Sequence, residues 1–175
     1  MKLKFQGILK KPSTVSTLPV KITLAGGPLG SDTREQTATF TVDTQGVWSA
    51  NVAFDAPAGD GYKVLVKGPK HLQKRICDAT PTETYGGTYR CGEEGRISLQ
   101  GGNNALDFSR IVQLVGDLPQ QDGIVDAYDI ALIRTNLGST DANTVTSADL
   151  NYDGVVDTQD YSLLIAALSI KYDEF

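Results

Sequence analysis

The stretch Asp149-Leu-Asn-Tyr-Asp-Gly-Val-Val-Asp-Thr-Gln-Asp160 sets side-chain oxygens at Asp149, Asn151, Asp153, Asp157 and Asp160 around Gly154. A hard divalent cation taking about six to eight oxygen ligands is served by acids on alternate residues and a glycine where the backbone turns sharply. The spacing therefore predicts a calcium loop. Asp149, Asn151 and Asp153 supply the alternating side chains, Val155 offers its carbonyl, Asp157 acts directly or through a water, and Asp160 closes the shell. An Asp-rich stretch can also be a solvated acidic surface or a set of helix caps. Asp157 and Asp160 do stand where a following helix would be capped and its dipole favoured. Capping asks for those two alone and leaves Asp149, Asn151, Asp153 and Gly154 unexplained at ligand spacing.

An EF-hand usually closes with a bidentate Glu, whereas this loop closes with the shorter Asp160. With the run Tyr161-Ser-Leu-Leu-Ile-Ala-Ala-Leu168 behind it, the loop resembles the dockerin calcium-binding repeat, in which an Asp closes the loop and an amphipathic helix follows. The resemblance implies a second copy nearby. Asp122-Gly-Ile-Val-Asp-Ala-Tyr-Asp129 and Ile130-Ala-Leu-Ile-Arg-Thr-Asn-Leu137 align with Asp153–Asp160 and Tyr161–Leu168, matching Gly123 to Gly154, Asp126 to Asp157 and Asp129 to Asp160. Counting back from Gly123, the first ligand position falls on Leu118, but the acid available is Asp117, so this loop carries an extra residue. Its expected ligands are Asp117, Gln120, Asp122, the Ile124 carbonyl, Asp126 and Asp129. Two calcium ions are expected, the first loop holding its ion less tightly because its start is distorted by the extra residue.

Charge divides the 175-residue chain, which has 16 Lys and Arg, 21 Asp and Glu and a formal charge of −5. The front is mildly basic, whereas residues 113–175 carry many acids against only Arg134 and Lys171. Two domains are expected, at 1–114 and 115–175, and the empty acidic tail should be loosened by self-repulsion. The start, Met1-Lys-Leu-Lys-Phe-Gln-Gly-Ile8, lacks the apolar core of a signal peptide, and no apolar run is long enough to span a bilayer. Calcium loading still points to an extracellular or cell-surface setting. Cys77 and Cys91 bracket a polar, Gly- and Thr-rich stretch, which reads as a loop stapled by a disulfide; two free thiols are the alternative.

In the front part, short alternating runs at 3–8, 19–24, 36–42, 47–54, 62–67, 72–76, 96–99 and 107–112 are separated by turn residues such as Asp43-Thr-Gln-Gly46. About seven to eight antiparallel strands with no long helix between them predict an all-β sandwich. The fold class is thus a multi-domain chain, a β-sandwich followed by a small α-helical, EF-hand-like domain. Phe40-Thr-Val-Asp-Thr-Gln-Gly-Val-Trp48 and Gly61-Tyr-Lys-Val-Leu-Val66 resemble the transthyretin-like or carboxypeptidase-regulatory-like sandwich, with an immunoglobulin-like order left open. In the tail, Ile130, Ile133 and Leu137 should form one buried stripe packed by Leu163, Leu164, Ala167 and Leu168. Strand residues run almost directly into the first loop, so the two domains should move as one body.

No catalytic constellation emerges, and the chain is not expected to be an enzyme. His71 is the only histidine and reads as a surface residue near a disulfide cysteine. Phosphate-binding glycine patterns are absent and the lysines lack the aromatic interleaving of nucleic-acid sites. Trp48 and Tyr62 read as core residues. The aromatics Trp48, Tyr62, Tyr85 and Tyr89 are the only support for a carbohydrate-binding module, and Tyr85 and Tyr89, inside the Cys-bracketed loop, are the candidates for an exposed contact surface. The dockerin resemblance implies a monomer that binds a cohesin-like partner through residues just after the ninth loop position and in the following helix. These fall on Ala127, Tyr128, Arg134 and Thr135 in the first repeat and Thr158, Gln159, Ile165 and Ala166 in the second, pairs too different to make the two faces interchangeable. A second reading is a calcium-rigidified spacer of a larger surface protein, its tail docked on its own sandwich as in an X-module and dockerin pair.

Overall fold

The computed structural model describes residues 1–118 and 120–175. Its front part is built from β1 (Lys2–Lys4), β2 (Thr17–Gly26), β3 (Thr33–Val42), β4 (Val47–Ser49), β5 (Gly59–Lys67), β6 (Lys74–Ile76) and β7 (Ile97–Leu99). Alternation places one face of each strand in the core: Leu18, Val20, Ile22 and Leu24 of β2 and Tyr62, Val64 and Val66 of β5 are all buried. The turn between β3 and β4 is held by Asp43 Oδ1, which accepts from the N–H groups of Gln45 at 2.8 Å and Val47 at 2.9 Å.

Hydrogen bonds join all seven strands in one antiparallel sheet, in the order β1-β4-β3-β2-β5-β6, with β7 also paired to β5. The strand-rich front part is as expected, and this pairing gives one hydrogen-bonded path without establishing a transthyretin-like or immunoglobulin-like order. The run at 107–112 is not a strand. It lies beside β1 through isolated parallel bridges, Lys2 to Asp107 and Phe5 to Gln113. Trp48 and Tyr62 are fully enclosed in this core, as their alternation implies.

Two further expectations fail here. Tyr89 is buried: its hydroxyl accepts from the Cys77 N–H at 3.1 Å and donates to Asp78 Oδ2 at 2.8 Å. The Cys77–Cys91 disulfide folds the loop back and presses that ring inward, while Tyr85 stays 74% exposed. His71 is not a surface residue either. It is wholly enclosed, its ring 4.3 Å from that of Phe5 between centroids, because the chain turns back at Gly68-Pro69 under the sheet.

The tail holds α1 (Ala127–Thr135), α2 (Ala142–Ala148) and α3 (Thr158–Ala167). Asp126 and Asp157 cap α1 and α3, each paired with an acid three residues on in a reciprocal capping box. Ile133, Leu164 and Ala167 meet in the tail core, with Ile130, Leu163 and Leu168 half-buried against it. Leu137 does not join the stripe: it lies beyond the Asn136 C-cap and is 47% exposed. The two parts interlock. Leu72 and Leu114 pack into the tail core and Tyr152 into the front core. The C-terminal segment runs back beside β6, Glu174 donating its N–H to the Gln73 carbonyl at 3.0 Å.

Candidate metal centre

The second loop, Asp149–Asp160, joins α2 to α3, with its middle turned at Tyr152 (φ 61°) and Gly154 (φ 98°). Asp149 is fully buried. Its Oδ2 accepts from the Gly154 N–H at 2.8 Å and its Oδ1 from the Tyr152 N–H at 2.7 Å. Asp160, equally buried, reaches back across the loop, Oδ1 to the Leu150 N–H at 2.7 Å and Oδ2 to the Asp157 N–H at 2.8 Å. The closing acid thus holds both ends of the loop while serving as the third residue of α3. Asn151 and Asp153 lie nearer solvent and bond each other, Asn151 Nδ2 donating to Asp153 Oδ2 at 3.0 Å.

The first loop, Asp117–Asp129, repeats this design around its extra residue. Asp117 Oδ2 accepts from the Gly123 N–H at 3.2 Å, as Asp149 does from Gly154. Asp129 Oδ1 accepts from the Leu118 N–H and Oδ2 from the Asp126 N–H, both at 2.7 Å, as Asp160 does from Leu150 and Asp157. Gln121 takes the positive φ (52°) that Tyr152 takes in the second loop. The insertion is therefore absorbed between Asp117 and Gln121, which leaves Gln120 opposite Asn151 and Asp122 opposite Asp153. Asp117 stands at the first position in place of Leu118, whose apolar side chain is buried. Asp122 Oδ1 accepts from the Ile124 N–H at 3.0 Å, the same short turn Asp153 makes with Val155.

Among the described residues no three Asp, Glu, His or Cys side chains converge as a ready-made metal cluster. The enclosed acids are turned instead to backbone N–H groups. The donor set nevertheless fits a hard cation: every candidate ligand is an oxygen, and Asp117 Oδ1 is buried without any hydrogen-bond partner. A cation taken by both Asn151 and Asp153 in the second loop would displace their mutual bond. Burial raises the carboxyls of Asp149, Asp160, Asp117 and Asp129 above the ordinary carboxylate value, opposed by the N–H bonds they accept and, at Asp117, by Lys67. A bound divalent ion would reverse that balance.

Residues that ligand spacing does not reveal surround the loops. Lys67 donates to Asp117 Oδ2 and to Asp173. Lys70 donates to the carbonyls of Val145 at 3.3 Å and Asp149 at 2.6 Å. Both lysines belong to one turn, Lys67-Gly-Pro-Lys70, which is thus wedged against both loops; Gln121 clamps it by donating to the Pro69 carbonyl. Thr14 donates to the Tyr152 carbonyl at 2.7 Å. The eight residues expected to meet a partner, Ala127, Tyr128, Arg134, Thr135, Thr158, Gln159, Ile165 and Ala166, are all exposed, Tyr128 by 83%.

Residues 115–169 match the family model for the dockerin type I domain. No curated protein matches the chain. The matched segment runs from the start of the first loop to the end of α3, and a β-rich part precedes it. A dockerin domain is a non-catalytic, calcium-binding module of calcium-dependent protein–protein assembly, and it implies a cohesin partner. Such modules are typical of extracellular and cell-surface complexes. No helix among the described residues is long and apolar enough to cross a membrane.

Proposed function

We propose that this chain is a non-catalytic assembly module whose calcium-loaded tail, residues 115–175, docks onto a cohesin-like domain outside the cell, carried by a β-domain at 1–114. The observation that carries the reading is the repeated loop: Gly154 on Asp149 and Leu150 on Asp160 in the second, Gly123 on Asp117 and Leu118 on Asp129 in the first. In the second loop Asp149, Asn151, Asp153, the Val155 carbonyl, Asp157 and Asp160 take the ion. In the first loop Asp117, Gln120, Asp122, the Ile124 carbonyl, Asp126 and Asp129 take a second. Calcium then fixes the starts of α1 and α3, which present the partner faces headed by Tyr128 and Ile165. Immobilised cohesin domains should retain the protein in calcium and release it on chelation. Retention that ignores the chelator, or none on any cohesin, contradicts the reading.

A second reading, a stiffened spacer, is favoured by the joint. The Lys67–Lys70 turn, Thr14 and the C-terminal segment bind the tail back onto the β-domain, and the Gln6 amide reaches the Leu163 carbonyl at 3.3 Å. The two roles are compatible, since a rigid arm also presents a docking face. The carbohydrate-binding alternative loses its support, because Trp48, Tyr62 and Tyr89 are enclosed and Tyr85 alone remains exposed.

A further inference from the structure

Lys67 ends β5, and its ammonium leaves the sheet to sit between two acids of the tail. It donates to Asp117 Oδ2 and, at 2.8 Å, to both oxygens of Asp173. All three side chains are nearly or wholly enclosed. A carboxylate buried there without a counter-charge would be strongly destabilising.

The two oxygens of Asp117 have different surroundings. Oδ2 takes the Gly123 N–H, as Asp149 Oδ2 takes that of Gly154, and it also takes Lys67. Oδ1 is buried and has no partner among the described residues, whereas Oδ1 of Asp149 takes the N–H groups of Tyr152 and Asp153 inside the second loop's turn. The repeat thus leaves Asp117 Oδ1 without the donors its counterpart has, while Oδ2 keeps the matching N–H and gains Lys67. An enclosed carboxylate oxygen lacking a donor is what an incoming cation satisfies.

We propose that Lys67 is a built-in counter-charge of the first loop: its ammonium holds Oδ2 of Asp117, stabilises the calcium-free loop at the expense of its calcium affinity, and ties loading of that loop to docking of the β-domain and the C-terminal segment. The inference rests on the calcium reading of the loops. The same charge acts in opposite directions in the two states. Without the ion it balances Asp117 and keeps the first loop closed. With the ion it is a like charge one carboxylate away, and repulsion weakens the site. At the second loop Lys70 also lies near Asp149 and Asp160, but among the described residues it donates to the backbone carbonyls of Val145 and Asp149 and not to a carboxylate oxygen. The first loop is therefore the weaker calcium site and the one whose fold depends less on calcium.

The test is calorimetric titration of the chelator-stripped full chain with calcium, for wild type, Lys67→Met and Lys67→Arg, with the Gly123 and Gly154 amide signals assigning each ion to its loop. Thermal unfolding is recorded alongside. Lys67→Met should bind calcium at the first loop about tenfold or more tighter, from the loss of one nearby positive charge. It should also melt lower than wild type when calcium-free and gain more on loading, while Lys67→Arg keeps wild-type affinity. First-loop affinity unchanged or weakened in Lys67→Met overturns the proposal and leaves the calcium reading standing. No calcium uptake by any of the three overturns both. Should Lys67→Met not fold, Asp173→Asn leaves Lys67 less neutralised and should weaken the first site further; an unchanged or tighter site there overturns the proposal.

Discussion

Lys70 Nζ donates to the carbonyl of Asp149 at 2.6 Å, so the turn Lys67–Lys70 closes the back of the second loop. The ammonium also lies 4.5 Å from the centroid of the Tyr152 ring, and burial lowers its pKa to about 8. Removing it leaves the Asp149 carbonyl without its donor in an enclosed place, while the Val145 carbonyl keeps only the Asp149 N–H at 3.2 Å. Lys70→Ala should cost about 2–4 kcal/mol from those lost bonds and the cation–ring contact, read as a lower urea midpoint. Ala at the exposed Lys10 should leave the midpoint unchanged.

His71 makes the fold sensitive to acid. Burial holds its imidazole pKa down to about 3, its Nε2 has no partner, and the neighbouring charges of Lys70 and Lys67 push the same way. The unfolded chain takes up this proton near pH 6.5 and the folded chain does not. Between about pH 3 and 6.5 the unfolded state therefore binds more protons, and stability falls as the pH falls. The loss at pH 5 relative to pH 8 should be about 2 kcal/mol. The raised carboxyls of the calcium loops act in the opposite sense, so the contribution is isolated by comparison with His71→Leu. That variant should lack this part of the acid loss when melting points are followed from pH 8 to pH 5; parallel curves for the two proteins would contradict the assignment.

The disulfide between Cys77 and Cys91, 14 residues apart, holds Tyr89 under the sheet edge. Replacing both cysteines by Ala should lower stability by about 3 kcal/mol on the chain-entropy account of a loop this size. Urea unfolding checks this, with reductant added to the wild type as a second route to the same loss. Equal midpoints for wild type and the double variant would show that the Tyr89 contacts alone hold the loop.

What could be read from the residues depended on whether their chemistry was local. The second loop was legible because ligand spacing, Gly154 and the Asp160 closure lie within one stretch. The front strands were legible from alternation, as in Tyr62, Val64 and Val66, but alternation does not say how strands pair, and the order β1-β4-β3-β2-β5-β6 rests on contacts between distant strands. The helix at Ala142–Ala148 escaped notice because Ala-Asn-Thr-Val-Thr-Ser-Ala has no apolar period; its clearest mark is the Asp141 cap, which accepts from Asn143 and Thr144. The burial of His71 and Tyr89 is set by contacts with Phe5 and across the disulfide. The lysine turn was hidden for the same reason: nothing in Lys-Gly-Pro-Lys announces acids and carbonyls 50 and 79 residues further on.

The partner faces should contribute unequally. Tyr128 on α1 is 83% exposed, whereas the equivalent position on α3 is Gln159, and Ile165 on α3 is opposite Arg134. If Tyr128 is an anchor, Tyr128→Ala should weaken capture by a cohesin domain by about 2 kcal/mol or more, the scale of an aromatic hot spot. Gln159→Ala should be close to neutral if the α1 face is the one used. Surface plasmon resonance in calcium separates these outcomes, and equal losses from both changes would indicate that the two faces are interchangeable.

The central claim is that the tail is a calcium module, and calorimetric titration of the chelator-stripped chain with calcium tests it most directly. The wild type should take up calcium, and Asp160→Ala, which removes the ligand holding both ends of the second loop, should lose the tighter site. No calcium uptake by the wild type, or uptake unchanged by Asp160→Ala, would contradict the account.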